Sequence, residues 1–409
     1  MKTKVAAIEF GTSKIVTVIA KSSARNNHCE IVSCGKVDYA GYSSGDWTDW
    51  DNLSKAVYNS IIAAQSDAGE KINEIYVGVP CEFIHVRTAD AEVPVRSADG
   101  RVHIEDIQAV EDMAADVYKF TESDDCVIHR SPAWYSVDRG PKTMQPEGLR
   151  GENLSARISF ITASADFIDD MRAIMGNVGI TINGFLSPSL GEQLLCTAVK
   201  DRDDGCIFID CGMYNTEFSV LKGDAMVYHA VLPFGGNNIT ADLADRLEIR
   251  YDEAELLKRS ATVGEGINEM IRPPESRDKE GRRIRYKPEI ICNMITVSLE
   301  ELCEYLKRTL FDAKGAELTA RSRIYLAGGG ITLLRGGSAY LSKYLGREVA
   351  EVSVNTNKLQ SPEYASVLGL VDLIFDSIEQ RFGEEETLPM RVVDTFKGLL
   401  GRSKNEDEE

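Results

Sequence analysis

The chain has 409 residues, 43% of them hydrophobic, enough for two to four domains with packed cores. A formal net charge of −19 argues against a general nucleic-acid binder, because non-specific phosphate contact needs clustered Lys and Arg. Nine cysteines without a CxxC pair and only five scattered histidines argue against zinc and suit buried thiols in a reducing compartment. The N-terminus lacks the apolar core of a signal peptide, and no run of about 18 apolar residues predicts a membrane span.

In chain order, Val5–Ile19 reads as two apolar strands around a short polar turn, with Glu9 at the rim and Gly11 just inside. A strand-like run, 30–37, and a helical pattern, 51–69, follow. The segment 80–161 fits neither type of unit: strand-like pieces at 83–88 and 156–162, a helix from about Ile104 to Tyr118, and Pro- and Gly-rich loops predict an inserted α+β subdomain.

About 200 residues after the first hairpin, the form returns in Ile209–Val220, where Asp210 and Gly212 match Glu9 and Gly11. It too leads into a strand-like run, 225–232, and a helix, 238–247. A repeat of so long a period implies two related α/β halves, whose turns would face each other across one cleft.

A second insertion, roughly 238–313, is expected to be mostly helical around a basic loop, 272–287, that carries Arg282, Arg283, Arg285 and Lys287. That cluster is either a solvated loop or a partner site. A helix from about Ile290 to Leu310 follows it. Next, an apolar strand from Arg323 runs into Gly328, Gly329 and Gly330, with a helix from about Ser338 to Leu345. Glycines let a ligand approach the backbone, and exposed N–H groups at a turn form an anion nest. No P-loop or Rossmann fingerprint is present.

The tail, Pro389–Arg402, places Val392, Val393, Phe396, Leu399 and Leu400 within about 120° of arc, an amphipathic stripe. On pattern alone such a stripe docks on the protein's own body or on a lipid surface. The acidic end, 403–409, is expected to be disordered.

Two acid-x-Gly hairpins in repeated halves, followed by a strand ending in three glycines, resemble the actin-like ATPase superfamily. Within it the chain is similar to the bacterial FtsA cell-division family over nearly its whole length. The stretch Leu232–Asp242 resembles the family's Gly-Gly-x-x-Ile-Thr segment, Ala254–Lys258 its ribose- and base-facing helix, and Ala365–Leu370 its crossing helix.

The resemblance implies an α/β actin-like fold of two RNase H-like domains flanking a nucleotide cleft. Residues 1–80 and 164–200 would form the first domain, with 81–163 inserted in it. Residues 201–237 and 314–364 would form the second, with 238–313 as its helical insertion. Residues 365–382 would cross back to the first domain, and 383–388 would link to an amphipathic helix, 389–402.

The implied ligand is ATP or ADP with Mg²⁺. Gly11, Thr12, Ser13 and Lys14 would hold phosphate from one side, and Gly212, Met213, Tyr214 and Asn215 from the other. Gly235, Gly236, Glu255, Lys258 and the three glycines 328–330 would complete the pocket. Glu9, Asp210 and Glu217 would take the catalytic places, with Glu9 and Asp210 toward the metal. Relatives usually carry Asp at the first place, and Asp-x-Gly-Gly-Gly-Thr-Thr-Asp where this chain reads Asp210-Cys-Gly-Met-Tyr-Asn-Thr-Glu217. A Glu is one methylene longer and Mg²⁺ demands strict geometry, so hydrolysis is expected to be weak or absent while binding survives.

The resemblance further implies self-association into filaments, attachment to the inner face of the cytoplasmic membrane at the division site, and capture of the C-terminal peptide of FtsZ. Rival readings are a PilM-like pilus-assembly adaptor and a soluble sugar-kinase-like enzyme.

Overall fold

The computed structural model describes residues 3–383 apart from 23–28, 40–41, 44–45, 119–125, 265–269, 271–274, 279, 353, 355 and 357. The expected linker beyond Gly383, the amphipathic stripe with Val392, Val393, Phe396, Leu399 and Leu400, and the acidic end therefore lie outside the described residues.

Two five-stranded sheets share one strand order. The first runs Cys29–Asp38, Lys14–Ser22, Lys4–Phe10, Glu74–Gly78, Thr181–Leu186; the second runs Ala225–Leu232, Thr216–Lys222, Cys206–Cys211, Ile324–Ala327, Val349–Glu351. In each, three successive strands form an antiparallel meander, and two later strands add in parallel beside the first. The central strands are covered on both faces, which is why Val5–Ile8 and Cys206–Ile209 read as unbroken apolar runs.

In the first sheet, one face packs on the helix Trp50–Ala68, through Leu53, Val57 and Ile61. That helix begins where Asp49 accepts a 2.9 Å hydrogen bond from the Asn52 N–H, and ends at Gly69 with φ 71°. The opposite face packs on the helix Ala365–Gly383. Its Val367, Leu370, Val371, Ile374 and Phe375 share one core with Val5, Ala7 and Val16 of the first sheet and with Cys206, Phe208 and Tyr325 of the second. The helix crosses Pro188–Cys196 at glycines: a Cβ on Gly369 would stand 2.1 Å from the Glu192 nitrogen, and one on Gly191 2.2 Å from the Gly369 oxygen.

The first inserted unit is a three-stranded antiparallel sheet, with Asn153–Ala163 between Ile84–Pro94 and Cys126–Val137, under the helix Ile104–Tyr118. The edge strand 126–137 has no counterpart in the sequence reading: Pro132 and two register shifts interrupt its alternation. Glu317, at φ 64°, fastens this unit to the second half. Its carboxylate accepts from Trp134 Nε1 at 3.2 Å and Arg157 Nη1 at 2.9 Å, and pairs with Lys142.

The second insertion holds the helices Gly236–Leu247, Tyr251–Ser260 and Pro288–Asp312. The stretch read as a basic loop contains a β-hairpin, Glu275–Arg277 against Arg283–Arg285, turning at Gly281 with φ 80°. Arms of three residues are too short to carry a legible alternation.

Candidate functional site

The two polar turns are built alike. The Gly11 N–H donates to the Lys14 carbonyl at 2.9 Å, and the Gly212 N–H to the Asn215 carbonyl at 2.9 Å. Each turn links the first two strands of its sheet, so the common strand order delivers both to one place. They meet where the Tyr214 N–H reaches Thr12 Oγ1 at 3.4 Å.

A cleft of about 310 Å³, open to solvent, lies along them. Its walls include Glu9, Gly11, Thr12, Ser13 and Lys14 from the first half, and Asp210, Gly212, Met213, Asn215 and Glu217 from the second. Gly236, Glu255, Lys258, Gly328, Gly329 and Gly330 complete the expected set. Tyr214 and Gly235 stand outside this lining. Gly235 lies against the turn instead, where a Cβ would fall 2.4 Å from the Met213 oxygen.

The glycine run has a packing reason beyond ligand approach. Gly328, at φ 77°, passes under Asp210, so a Cβ there would sit 2.0 Å from Asp210 Oδ1. At Gly330 a Cβ would sit 2.5 Å from the Gly212 oxygen. Gly329 is the roomier position, with Leu333 Cδ1 at 3.3 Å and Glu363 Cβ at 3.7 Å from an added Cβ.

The cleft floor is acidic. Glu9 is buried and accepts from Ser366 Oγ at 3.2 Å; burial pushes its carboxyl up to about 7 against the pull of Lys14. Burial, then the charges of Glu217 and Glu9, push Asp210 to about 7 as well. Glu192, one turn inside the helix Pro188–Cys196, is driven well above its ordinary value by burial and by Asp210, Glu217 and Glu9. Glu82 adds a fifth acid and accepts from Asn215 Nδ2 across the halves. Sequence reasoning missed Glu82, Glu192 and Ser189, because single polar residues in apolar or turn contexts carry no motif.

Glu217 is engaged by side chains of both halves. Its Oε2 accepts from Ser189 Oγ at 2.7 Å, and its Oε1 lies 3.2 Å from His229 Nε2, an ion-pair distance without hydrogen-bond alignment. The remaining carboxylates offer hard oxygen donors in mutual repulsion, which suits a hard divalent cation. Among the described residues, no group of three or more His, Cys, Asp or Glu is arranged to hold a metal alone. Mg²⁺ usually takes one or two carboxylates and completes its shell with water and phosphate, so Glu9 and Asp210 fit that use.

Each cation on the cleft wall already has a carboxylate partner. Lys14 meets Glu363 at 2.8 Å, Lys258 meets Glu255 at 2.8 Å, and Arg259 meets the other Glu255 oxygen at 2.7 Å. Lys258 also donates to the Gly236 carbonyl at 3.0 Å and to Thr240 Oγ1 at 2.8 Å, which fixes the helix bearing it against the turn.

The basic hairpin lies outside the cleft lining. Arg282 pairs with Asp278 at 2.7 Å and with Glu280 at 3.1 Å, and Arg285 meets Glu275 at 3.9 Å. Much of its charge is balanced on the same hairpin. Lys287 takes the N-cap position of the helix Pro288–Asp312, and Arg283 is exposed. Among the described residues, no helix is long and apolar enough to cross a membrane.

Comparison with solved structures gives the same architecture. The chain superposes on the PilM–PilN type IV pilus biogenesis complex with TM-score 0.57 and 17% identity, covering 90% of this chain and 97% of that one. It superposes on MreB 5 of Spiroplasma citri bound to AMPPNP with TM-score 0.55 and 11% identity, covering 94% and 99%. The fold is therefore actin-like, with two related RNase H-like domains and an inserted α+β unit. Among curated relatives, the cell division protein FtsA of Neisseria meningitidis serogroup B is 22% identical over 98% of this chain and 97% of its own length. That of Borreliella burgdorferi is 23% identical over 95% and 94%. The family model for cell division protein FtsA matches residues 207–369, and the model for the SHS2 domain inserted in FtsA matches residues 83–162. These two matches together take in more than half of the chain, which belongs to the FtsA family of cell-division proteins.

Proposed function

We propose that the chain binds ATP or ADP with Mg²⁺ between its two turns, assembles at the inner face of the cytoplasmic membrane at the division site, and tethers FtsZ there. The observation that carries the nucleotide reading is the pair of matched glycine turns that line one cleft from its two sides. Glu9 and Asp210 would approach the metal, which would neutralise phosphate charge; Glu255 and Lys258 would border the ribose and base. Hydrolysis is weak or absent in this reading, because Glu9 and Glu217 are each one methylene longer than the Asp that relatives usually carry, and Mg²⁺ demands strict geometry.

The residues 389–402 would lie in the membrane interface. Five apolar side chains, partly buried in lipid, supply roughly 4–7 kcal/mol, from which the entropy cost of ordering the segment is drawn. One copy would bind weakly and a filament firmly. The FtsZ C-terminal peptide would meet the second insertion, near Arg282, Arg283, Arg285 and Lys287, where rim charge sets on-rate. A sugar-kinase-like role is less well supported, because Glu82 and Glu217 already hold partners.

Liposome co-sedimentation of the full chain against one ending at Leu388, with and without ATP, tests the assembly. The full chain should sediment more with ATP and the shortened chain should not. Equal sedimentation of both would remove the tail from membrane attachment.

A further inference from the structure

The cleft combines an acidic floor with cations that are each already paired. An incoming polyphosphate therefore meets a Lys14 already matched one to one with Glu363, while Lys258 and Arg259 share Glu255. Glu9, Glu82, Glu192, Asp210 and Glu217 line the floor, and Lys14 is the cation nearest the first turn.

Lys14 is held tightly. Its ammonium lies 2.8 Å from Glu363 Oε2 and 4.7 Å from the centre of the Tyr364 ring, with 12% of its side chain exposed. Glu363 stands on the short turn Pro362–Tyr364, directly before the crossing helix. Its Cβ lies 3.7 Å from where a Cβ on Gly329 would be, so its carboxylate reaches across from the glycine run to the first turn. Lys36 lies 4.0 Å from the other Glu363 oxygen and is 41% exposed, so it adds little there.

We infer that Glu363 is a specificity-determining residue of the cleft: a built-in anion that occupies Lys14 and must yield it to a ligand's phosphate. This rests on the nucleotide reading given above. The ligand class is a nucleoside polyphosphate arriving with its divalent cation, because only such a ligand offers Lys14 a replacement charge and the floor acids a counter-charge at once. A nucleoside without phosphate has nothing with which to displace Glu363, and its binding is indifferent to that carboxylate. Releasing Glu363 also frees the turn that starts the crossing helix, whose apolar side chains pack on both halves.

The test is calorimetric titration of the full chain with ATP, ADP and adenosine, each with Mg²⁺. The native protein is compared with Glu363→Gln, Glu363→Ala and a control, Glu70→Gln, at the remote exposed pair with Lys4. Ligand-free melting curves verify folding, and the two substitutions at 363 guard against failure of either. Glu363→Gln should tighten ATP and ADP about tenfold, the scale of one partly buried ion pair, ~1.4 kcal/mol, and leave adenosine unchanged. Glu70→Gln should change nothing. Nucleotide binding of equal strength in native and Glu363 variants would overturn the inference and leave the nucleotide reading intact. Equal tightening of adenosine would also overturn it, since the carboxylate would then act on the nucleoside. Failure of every ligand to bind any variant would overturn both.

Discussion

Ser189 Oγ donates to Glu217 Oε2 at 2.7 Å, and this buried bond ties a helix of the first half to the hairpin of the second. An acid at a catalytic place thus serves as a strut across the cleft floor. Glu217→Asp withdraws the carboxylate by one methylene and breaks the strut. We expect a loss of about 1–3 kcal/mol, as for a buried hydrogen bond, and no gain in phosphate release, because Glu9 keeps the longer side chain at the first place. Urea denaturation and a phosphate-release assay on the same protein check both parts. A faster enzyme of undiminished stability would contradict both the strut and the limit assigned to Glu9.

The glycine run separates into tight and roomy positions. Gly328→Ala would push a Cβ to 2.0 Å from Asp210 Oδ1 at a backbone φ of 77°, and Gly330→Ala to 2.5 Å from the Gly212 oxygen. Each should cost about 2–4 kcal/mol through overpacking and strain. Gly329→Ala meets only the tip of Leu333 and should cost under about 1 kcal/mol. Melting curves of the three variants give the order, and equal losses at all three would contradict the packing described.

His129 carries a pH signature. Its Nε2 accepts the Ser187 N–H at 2.9 Å, and burial lowers its ring from the ordinary 6.5 to about 4. The unfolded chain therefore binds the proton first. The stabilisation is complete above pH 6.5 and is lost as pH falls toward 4, by about 3 kcal/mol in all. The raised carboxyls of Glu9 and Asp210 act in the opposite sense over the same range, so the loss is read as the difference in urea midpoints between native protein and His129→Gln from pH 8 to 4, which should flatten that component of the slope. An unchanged slope in the variant would assign the acid limb to other groups.

Much of the fold was legible because repetition reinforces weak signals. The hairpins at 5–19 and 209–220, with matching acids and glycines, predicted two related halves, and the helix at 104–118 fell where its periodicity put it. The edge strand 126–137 was lost because Pro132 and its bulges interrupt the pattern. The cleft was legible where backbone geometry demands glycine. It was not legible where long-range folding brings in single residues: Glu82, the pair Ser189 and Glu192, and Glu363 approach the turns from three separate segments, and no local pattern marks them.

The most direct measurement is the melting temperature of the full chain with and without millimolar ATP and Mg²⁺. A ligand bound only by the folded state, at about 100 times its Kd, adds ~2.7 kcal/mol, a rise on the order of a few degrees for a chain of this size. The prediction is such a rise, abolished by Gly328→Ala, which displaces Asp210. No rise in the native protein, at any nucleotide concentration up to several times that level, would contradict a nucleotide-binding cleft.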